Sequence, residues 1–240
     1  MLKTILMKFG KKIGLIFGLD IRRTSSPEFN YKWLQNQNIQ TIIDIGANEG
    51  QFAERIHKIL PEAKVYSFEP LNDCYCKLVS NLKHIAGSRA FNFAIGDVDD
   101  SNVEMRRSRF SPSSSLLKMA KLHKEEFPYT DGEIIEKINV RRLDGIANEL
   151  NIEGNMLIKI DVQGFEEKVL AGGIKTISMA TVVIIESSVE QLYEGQSSFD
   201  RVIDTMRKLG FAFKGCWDQL KSPIDGRVLS CDLIFMRITN

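Results

Sequence analysis

Apolar positions along this chain alternate between two spacings, and the changes mark its elements. Thr41 to Ile45 is a short β-branched run with one acid, Asp44, near its end, and reads as a strand buried on both faces. Gly46 and Gly50 bracket a tight turn, after which Phe52, Ile56, Ile59 and Leu60 fall at helical spacing until Pro61. The alternation then recurs. Lys64 to Phe68 reads as a strand, Leu71 to Leu82 as a helix burying Leu78, Val79 and Leu82, and Arg89 to Ile95 as a third strand. A helix from Leu143 to Leu150 precedes the run Met156 to Ile160, and another leads through Leu170 toward the run Thr181 to Ile185. Phe199 to Leu209 is an amphipathic helix closed by Gly210. Phe211 to Trp217 and Cys231 to Ile238 alternate as two last strands, joined without a helix and so antiparallel. Seven strands, with helices on the first five crossovers, predict an α/β fold: a mostly parallel sheet, helices on both faces, the last strand antiparallel.

Two stretches stand outside this rhythm. Met1 to Leu19 places Leu2, Ile5, Leu6, Phe9, Ile13, Ile16 and Phe17 at helical spacing with lysines between them. It is too short and too charged to span a bilayer, and it lacks the small-residue cleavage site of a signal peptide. Either it lies on an anionic membrane surface or it packs on the domain or a second subunit. Asp20 to Asn30 reads as a linker and Tyr31 to Asn38 as a short helix. Residues 1–38 are therefore expected to precede a single domain over 39–240. The second stretch is an insertion at about 106–137, between the extended arms Asn102 to Arg107 and Lys137 to Arg142. It is too long for an idle connection, and its serines, Arg107, Arg109, His123 and Tyr129 suit a lid or loop that hydrogen-bonds a polyhydroxy acceptor. The alternative is a surface loop without contacts.

Composition narrows the partners. Lys plus Arg (32) balance Asp plus Glu (31) over 240 residues, so no global field points to nucleic acid. Four dispersed cysteines and three histidines form neither a C-x-x-C pair nor a metal-ligand spacing, which reads as a reduced, cytoplasmic protein, with peripheral contact to the inner membrane face through Met1 to Leu19 as an option.

The glycine turn carries the chemistry. A strand, a tight turn and a helix place main-chain amides at the carboxyl end of a parallel strand, where α/β sheets bind nucleotides. The turn lacks Gly-Lys-Ser/Thr and G-x-G-x-x-G, and Asp44 and Glu49 put negative charge where a phosphate needs none. A cationic nucleoside without phosphate fits better, and S-adenosylmethionine is the common example. Glu69 falls about 20 residues beyond the turn, where a carboxylate accepts from both ribose hydroxyls. Ala94 and Ile95 end the third strand beside the adenine; Asp97 either accepts from the adenine amine or merely follows Gly96 into a hairpin turn. The candidate cofactor residues are thus Asp44, Gly46, Ala47, Asn48, Gly50, Phe52, Glu69, Pro70, Ala94, Ile95, Asp97 and Asp161.

Asp-Ile-Gly-Ala-Asn-Glu-Gly (44–50), Phe-Glu-Pro (68–70), Ala-Ile-Gly-Asp (94–97), Arg-Leu-Asp (142–144) and Ile-Lys-Ile-Asp-Val-Gln-Gly-Phe-Glu (158–166) together resemble the FkbM-type methyltransferases, in order and in spacing. The segment Ser113 to Leu116 resembles that family's serine motif. The resemblance implies the class I fold, S-adenosylmethionine as donor and a hydroxyl oxygen as acceptor, usually on a sugar or polyketide. Many members carry Glu where this chain has Gln163.

Methyl transfer to a hydroxyl needs a proton acceptor, worth about 10²–10⁴ in rate. Asp161 and Glu186 end two strands expected beside the turn strand, so Asp161 is the candidate base, or the ligand of a divalent cation that acidifies the hydroxyl, with Glu186 as second carboxylate. Structural alternatives are that Asp161 caps the following helix and that Glu186 pairs with Lys159 or Arg201. His123 is a third base candidate, and Glu166 is expected to bond backbone near Lys159. Two other classes compete: a nicotinamide-dependent oxidoreductase, since Glu69 suits either cofactor, and a non-catalytic nucleoside-binding subunit.

Overall fold

The computed structural model describes residues 31–238. The readings of Met1 to Leu19 and of Asp20 to Asn30 lie outside the described residues. A short helix α1 (Lys32–Gln35) stands where Tyr31 to Asn38 was read as helical. The chain divides between Asn36 and Gln37, and the unit from Gln37 onward carries everything that follows.

That unit is built from β1 (Ile39–Ile45), α2 (Gln51–His57), β2 (Lys64–Phe68), α3 (Asn72–Asn81), β3 (Arg89–Phe91), β4 (Ala94–Gly96), β5 (Asp100–Arg107), α4 (Lys121–Glu126), β6 (Ile134–Arg142), α5 (Leu143–Ile146), β7 (Asn155–Ile160), α6 (Glu166–Gly172), α7 (Ile174–Ile177), β8 (Val182–Ser188), α8 (Phe199–Lys208), β9 (Phe211–Lys221) and β10 (Val228–Arg237). The main sheet has seven strands in the order β3-β2-β1-β7-β8-β10-β9. Neighbours from β3 to β8 pair in parallel, and β10 runs antiparallel to both β8 and β9. The chain first builds outward from β1 to β3, then returns to the other side of β1 for β7. The switch point between β1 and β7 is where open α/β sheets leave a crevice.

β1, β7 and β8 are buried apolar runs because layers cover both faces. Ile43, Ile45, Ile158, Ile160, Val183, Ile185, Leu233 and Phe235 belong to one core cluster. The residues that alternate with them, Ile42, Leu157, Val182 and Ile184, are fully buried as well.

The structure corrects the sequence reading at three places. The third strand is broken: Arg89–Phe91 joins the main sheet, while Ala94–Gly96 enters a separate sheet of three strands in the order β4-β6-β5. Asn92 causes the break. Its Nδ2 donates to the carbonyls of Glu69 and Pro70, both at 3.0 Å, and turns the chain out of the ladder. Second, β4 and β5 are not a hairpin, because β6 lies between them, parallel to β4 and antiparallel to β5. Third, α3 buries Cys74 and Leu78, while Val79 is exposed.

The insertion is part of the wall of the unit. Ser115 Oγ donates to the Gln163 carbonyl at 2.7 Å, and the Tyr193 hydroxyl lies 3.0 Å from the Ser113 carbonyl. On α4, the buried Glu126 carboxylate accepts from Ser222 Oγ at 2.6 Å and from Arg227 at 2.8 Å, which fastens the insertion to the β9–β10 hairpin.

Candidate active site at the sheet switch point

A cavity of about 320 Å³ opens at the carboxyl ends of β1, β2 and β7, a size that suits a small ligand. Gly46, Ala47, Asn48, Phe52, Glu69, Pro70, Ala94, Ile95 and Asp161, all expected from the sequence, line it. Ser111, Pro112, Ser114 and Leu116 of the insertion, with Arg55, Lys159, Gln163, Trp217 and Asp232, also line it. Asp44 and Gly50, also expected, are not among the lining residues.

Gly46 is required by geometry. Its φ is +83°, and a Cβ there would lie 1.8 Å from the Asp161 carbonyl oxygen. The close approach follows from register. Asp44 and Ile45 pair with Lys159 and Ile160, and Asp161 N–H donates to Ile45 O at 3.0 Å, so the two chains leave the sheet side by side. The turn's amides, expected to hold the ligand, are already committed. Gly46 and Ala47 both donate to Phe68 O, at 3.1 and 3.0 Å, Asn48 N–H donates to Glu69 Oε2 at 2.9 Å, and Gly50 N–H to Ala47 O at 2.8 Å. A turn so occupied offers a phosphate little, which agrees with the missing phosphate motifs.

Glu69 is buried and fixed at both oxygens, Oε1 accepting from Leu71 N–H at 2.9 Å. Burial drives its pKa to about 7, against those two amides, which favour the carboxylate. Each oxygen keeps lone-pair capacity toward the cavity, so it can still take a hydroxyl proton donor.

Around β7 the carboxylates gather on one ammonium. Lys159 is buried; its Nζ donates to Asp161 at 3.0 Å and Asp232 at 3.1 Å. Burial works against its charge, but Asp161, Asp232 and Glu186 outweigh it and raise its pKa. Burial likewise pushes Asp161 up, yet Lys159 and hydrogen bonds from Glu186 and Gln163 overcome it, and Asp161 is held below the usual carboxylate range. Glu186 goes the other way: burial and the charges of Asp161 and Glu166 lift it well above that range. Asp44 is buried, its Oδ2 lacks a hydrogen-bond partner, and burial outweighs Lys159 to bring its pKa to about 7. Asp44, Asp161, Glu186 and Asp232 thus act on a single cation, and a positively charged ligand is what such a pocket stabilises.

The remaining expected residues fall elsewhere. Asp97 accepts from Lys168 Nζ at 2.8 Å and is not among the residues lining the cavity. His123 also falls elsewhere. It is buried with its ring 5.4 Å from Phe127 and 5.1 Å from Tyr193, outside the cavity wall, and burial lowers its pKa to about 4. Asp161 does not cap α6, whose N-cap position is Phe165. Glu186 accepts from Gln163 Nε2 at 2.8 Å and Ser230 Oγ at 3.0 Å rather than pairing with Lys159 or Arg201. Glu166 accepts from the amides of Val162 and Gly164, both at 3.1 Å, and shapes the loop that carries Asp161. Lys159, Gln163 and Asp232 were missed as site residues. A lysine inside the apolar run Met156 to Ile160 was a legible signal; Asp232, 73 residues on, gave none.

Strand order, switch-point cavity, glycine cradle and cation-attracting carboxylates define a class I methyltransferase that uses S-adenosylmethionine. Residues 44–213 match the Methyltransferase FkbM domain, and the chain belongs to that family. It is 32% identical over 173 residues to 2-O-methyltransferase NoeI of Sinorhizobium fredii, covering 69% of this chain and 70% of that protein. It is 29% identical over 196 residues to 31-O-demethyl-FK506 methyltransferase FkbM of Streptomyces tacrolimicus, covering 71% and 72%. Among solved structures, magnesium protoporphyrin IX methyltransferase from Synechocystis PCC 6803 with bound SAM aligns with a TM-score of 0.48 at 11% identity, over 89% of this chain and 77% of that one.

The acids give this family member a pH signature. Asp44 and Glu69 have pKa values of about 7, and a cation favours their ionised forms, so binding the donor expels protons below that pH. Donor affinity is expected to rise with pH up to about 7 and then level off, by up to about tenfold per pH unit for each proton displaced. The neutral thioether product should show a shallower dependence. Titration calorimetry from pH 5 to 9 checks this, and equal slopes for donor and product would contradict it.

Proposed function

We propose that this protein transfers the methyl group of S-adenosylmethionine to a hydroxyl oxygen of a sugar or similar polyhydroxy small molecule, with Asp161 as proton acceptor. The observation that carries the reading is the placing of Asp161: in the cavity wall, at the end of β7, held ionised by Lys159 and Gln163. Both relatives named above are O-methyltransferases by description, which supports oxygen as the atom methylated.

When bound, S-adenosylmethionine supplies a methyl carbon already activated by a cationic sulfur. The chain's own residues have three tasks. Glu69 accepts from the ribose hydroxyls, and Gly46 lets the chain leaving β1 lie against the Asp161 backbone, which holds the Glu69 and Asp161 sides of the cavity together. Pro70, Ala94, Ile95 and Phe52 give it apolar walls that exclude water. Asp161 orients the acceptor hydroxyl and takes its proton as the new carbon–oxygen bond forms. Once the neighbouring positive charge has gone, the proton affinity of Asp161 rises, so it is a stronger base at the moment it is needed.

The acceptor is placed against Ser111, Pro112, Ser114, Leu116 and Trp217 of the cavity wall. The Arg55 guanidinium lies 5.1 Å from the Trp217 ring centroid. An aromatic face beside serines suits a ring that is apolar on one side and hydroxylated on its edge. Such an acceptor fits a surface glycan or its lipid-linked precursor, and the basic amphipathic sequence of Met1 to Leu19 fits a membrane-surface role. Among the described residues no helix is long and apolar enough to cross a membrane.

Asp161 as a cation ligand is not supported. Lys159 Nζ already sits between Asp161 and Asp232, and among the described residues no group of three His, Cys, Asp or Glu is disposed to hold a metal. No step therefore passes through a metal.

Incubation with methyl-labelled donor and a panel of methyl pyranosides tests the proposal. Label in an ether-linked methyl on a pyranoside is the expected result. Donor binding with no transfer to any hydroxyl would favour a nucleoside-binding subunit, and binding of nicotinamide dinucleotide in preference to the donor would favour an oxidoreductase.

A further inference from the structure

We propose that Gln163 is a positioning residue for the methyl transfer: its side-chain amide clamps the carboxyl groups of Asp161 and Glu186 and is itself set by the hydroxyl of Tyr193. The proposal rests on the reading of Asp161 as proton acceptor.

The geometry assigns each atom one role. Gln163 Nε2 lies 2.8 Å from Asp161 Oδ1 and 2.8 Å from Glu186 Oε2. An amide nitrogen has two hydrogens, one for each carboxyl group. Gln163 Oε1 lies 2.9 Å from the Tyr193 hydroxyl, whose single hydrogen it shares with the Ser113 carbonyl at 3.0 Å. Turning the amide over would aim its oxygen at two carboxyl groups and its nitrogen at the phenol, so the observed orientation is the one the partners enforce.

The backbone is set for this purpose. Gln163 has φ +55°, a left-handed conformation uncommon outside glycine, asparagine and aspartate. Ser115 Oγ donates to its carbonyl at 2.7 Å, so the insertion helps to fix the residue. Strain held in place by several partners is characteristic of functional sites.

A neutral amide matters because of what surrounds it. Asp161 and Glu186 are on either side, Lys159, Asp232, Asp44 and Glu166 act on the same group, and Tyr193 closes the far end. A carboxylate at 163 would be a third acid packed against two others, and the cluster would retain another proton. With Gln163, Asp161 receives a donor on each oxygen, Lys159 on Oδ2 and the amide on Oδ1, and keeps a fixed face toward the cavity. In the transfer itself the carbon–sulfur bond breaks, the carbon–oxygen bond forms, and the hydroxyl proton passes to Asp161. Gln163 takes no part except by holding the acceptor atom still.

The experiment compares the full chain with Gln163→Met, Gln163→Glu and Tyr193→Phe, using S-adenosylmethionine as the probe. Calorimetry in buffers of different ionisation enthalpy counts the protons released when the donor binds between about pH 4 and 5, the ordinary range of carboxyl groups. Both Gln163 variants should release more than the parent by at least about half a proton, because Asp161 loses its amide donor or gains a charged neighbour. Tyr193→Phe should shift the count in the same direction by less. With any methyl pyranoside that is turned over, Gln163→Met should lower kcat at least about tenfold with the donor's KM within about threefold. A merely structural residue would change affinity equally at every pH and leave the proton count alone. Unchanged counts in both Gln163 variants, with cooperative thermal unfolding retained, overturn the proposal whether or not Asp161 is the base. Failure of the Asp161 reading shows separately, as turnover that survives loss of the Asp161 carboxylate.

Discussion

Asp161→Asn is expected to lower kcat by about 10²–10⁴-fold while the donor still binds, within about tenfold of the parent affinity. The substitution keeps the volume and one acceptor oxygen but removes the site's capacity to take a proton. A side-chain amide cannot hold the hydroxyl proton, so the attacking oxygen would have to keep it until after the carbon–oxygen bond had formed. Donor affinity should fall only modestly, because Glu69, the glycine cradle and the apolar walls are untouched. Lys159 loses one of its two carboxylate partners but keeps Asp232 at 3.1 Å, so the fold should survive. Single-turnover kinetics with saturating donor, together with calorimetry, separate the two effects. A variant that turns over at the parent rate would remove Asp161 from the chemistry, and one that binds no donor would make it a cofactor residue instead.

Gly46→Ala is expected to abolish measurable donor binding, a loss of at least about 100-fold. Two costs add. An L residue at φ +83° is strained by about 1–2 kcal/mol, and its Cβ would sit 1.8 Å from the Asp161 carbonyl oxygen. That contact cannot be relieved by rotating a side chain, since the obstructing atom is backbone. β1 and β7 must separate where they leave the sheet, which moves the Glu69 half of the cavity away from the Asp161 half. Gly195→Ala is the control: φ is +81° there, yet a Cβ meets nothing within 4 Å. It carries the backbone strain without the collision, so it should lose some stability and keep donor affinity. Equal loss of binding in both variants would mean that strain alone, and not the close approach, governs the site.

What could be read in advance follows from how local each determinant is. β1, β7 and β8 were legible because a strand covered on both faces is apolar throughout, whatever its neighbours. Glu69 was legible because its distance from the turn is set by one helix and one strand. The broken third strand was not read, although Asn92 inside Arg89 to Ile95 was the available sign; its partners, the carbonyls of Glu69 and Pro70, depend on the neighbouring strand. The pairing of Asp97 with Lys168 was not legible because the two lie 71 residues apart. His123 gave a usable signal, since it stands four residues before Phe127 on a helix and packs against it. The clamp at Gln163 draws on β7, β8, Tyr193 and the insertion at once, and no spacing along a single strand encodes a meeting of four segments.

The double use of Glu69 constrains how this scaffold can diversify. Its two oxygens already anchor the amides of Asn48 and Leu71, so any lineage seeking a phosphorylated coenzyme must first dismantle the corner that shapes its own loop. Ser111 is drawn into the same corner, since its Oγ accepts from Asn48 Nδ2 at 3.1 Å, so innovation is channelled to wall positions such as Pro112 and Leu116 of the insertion.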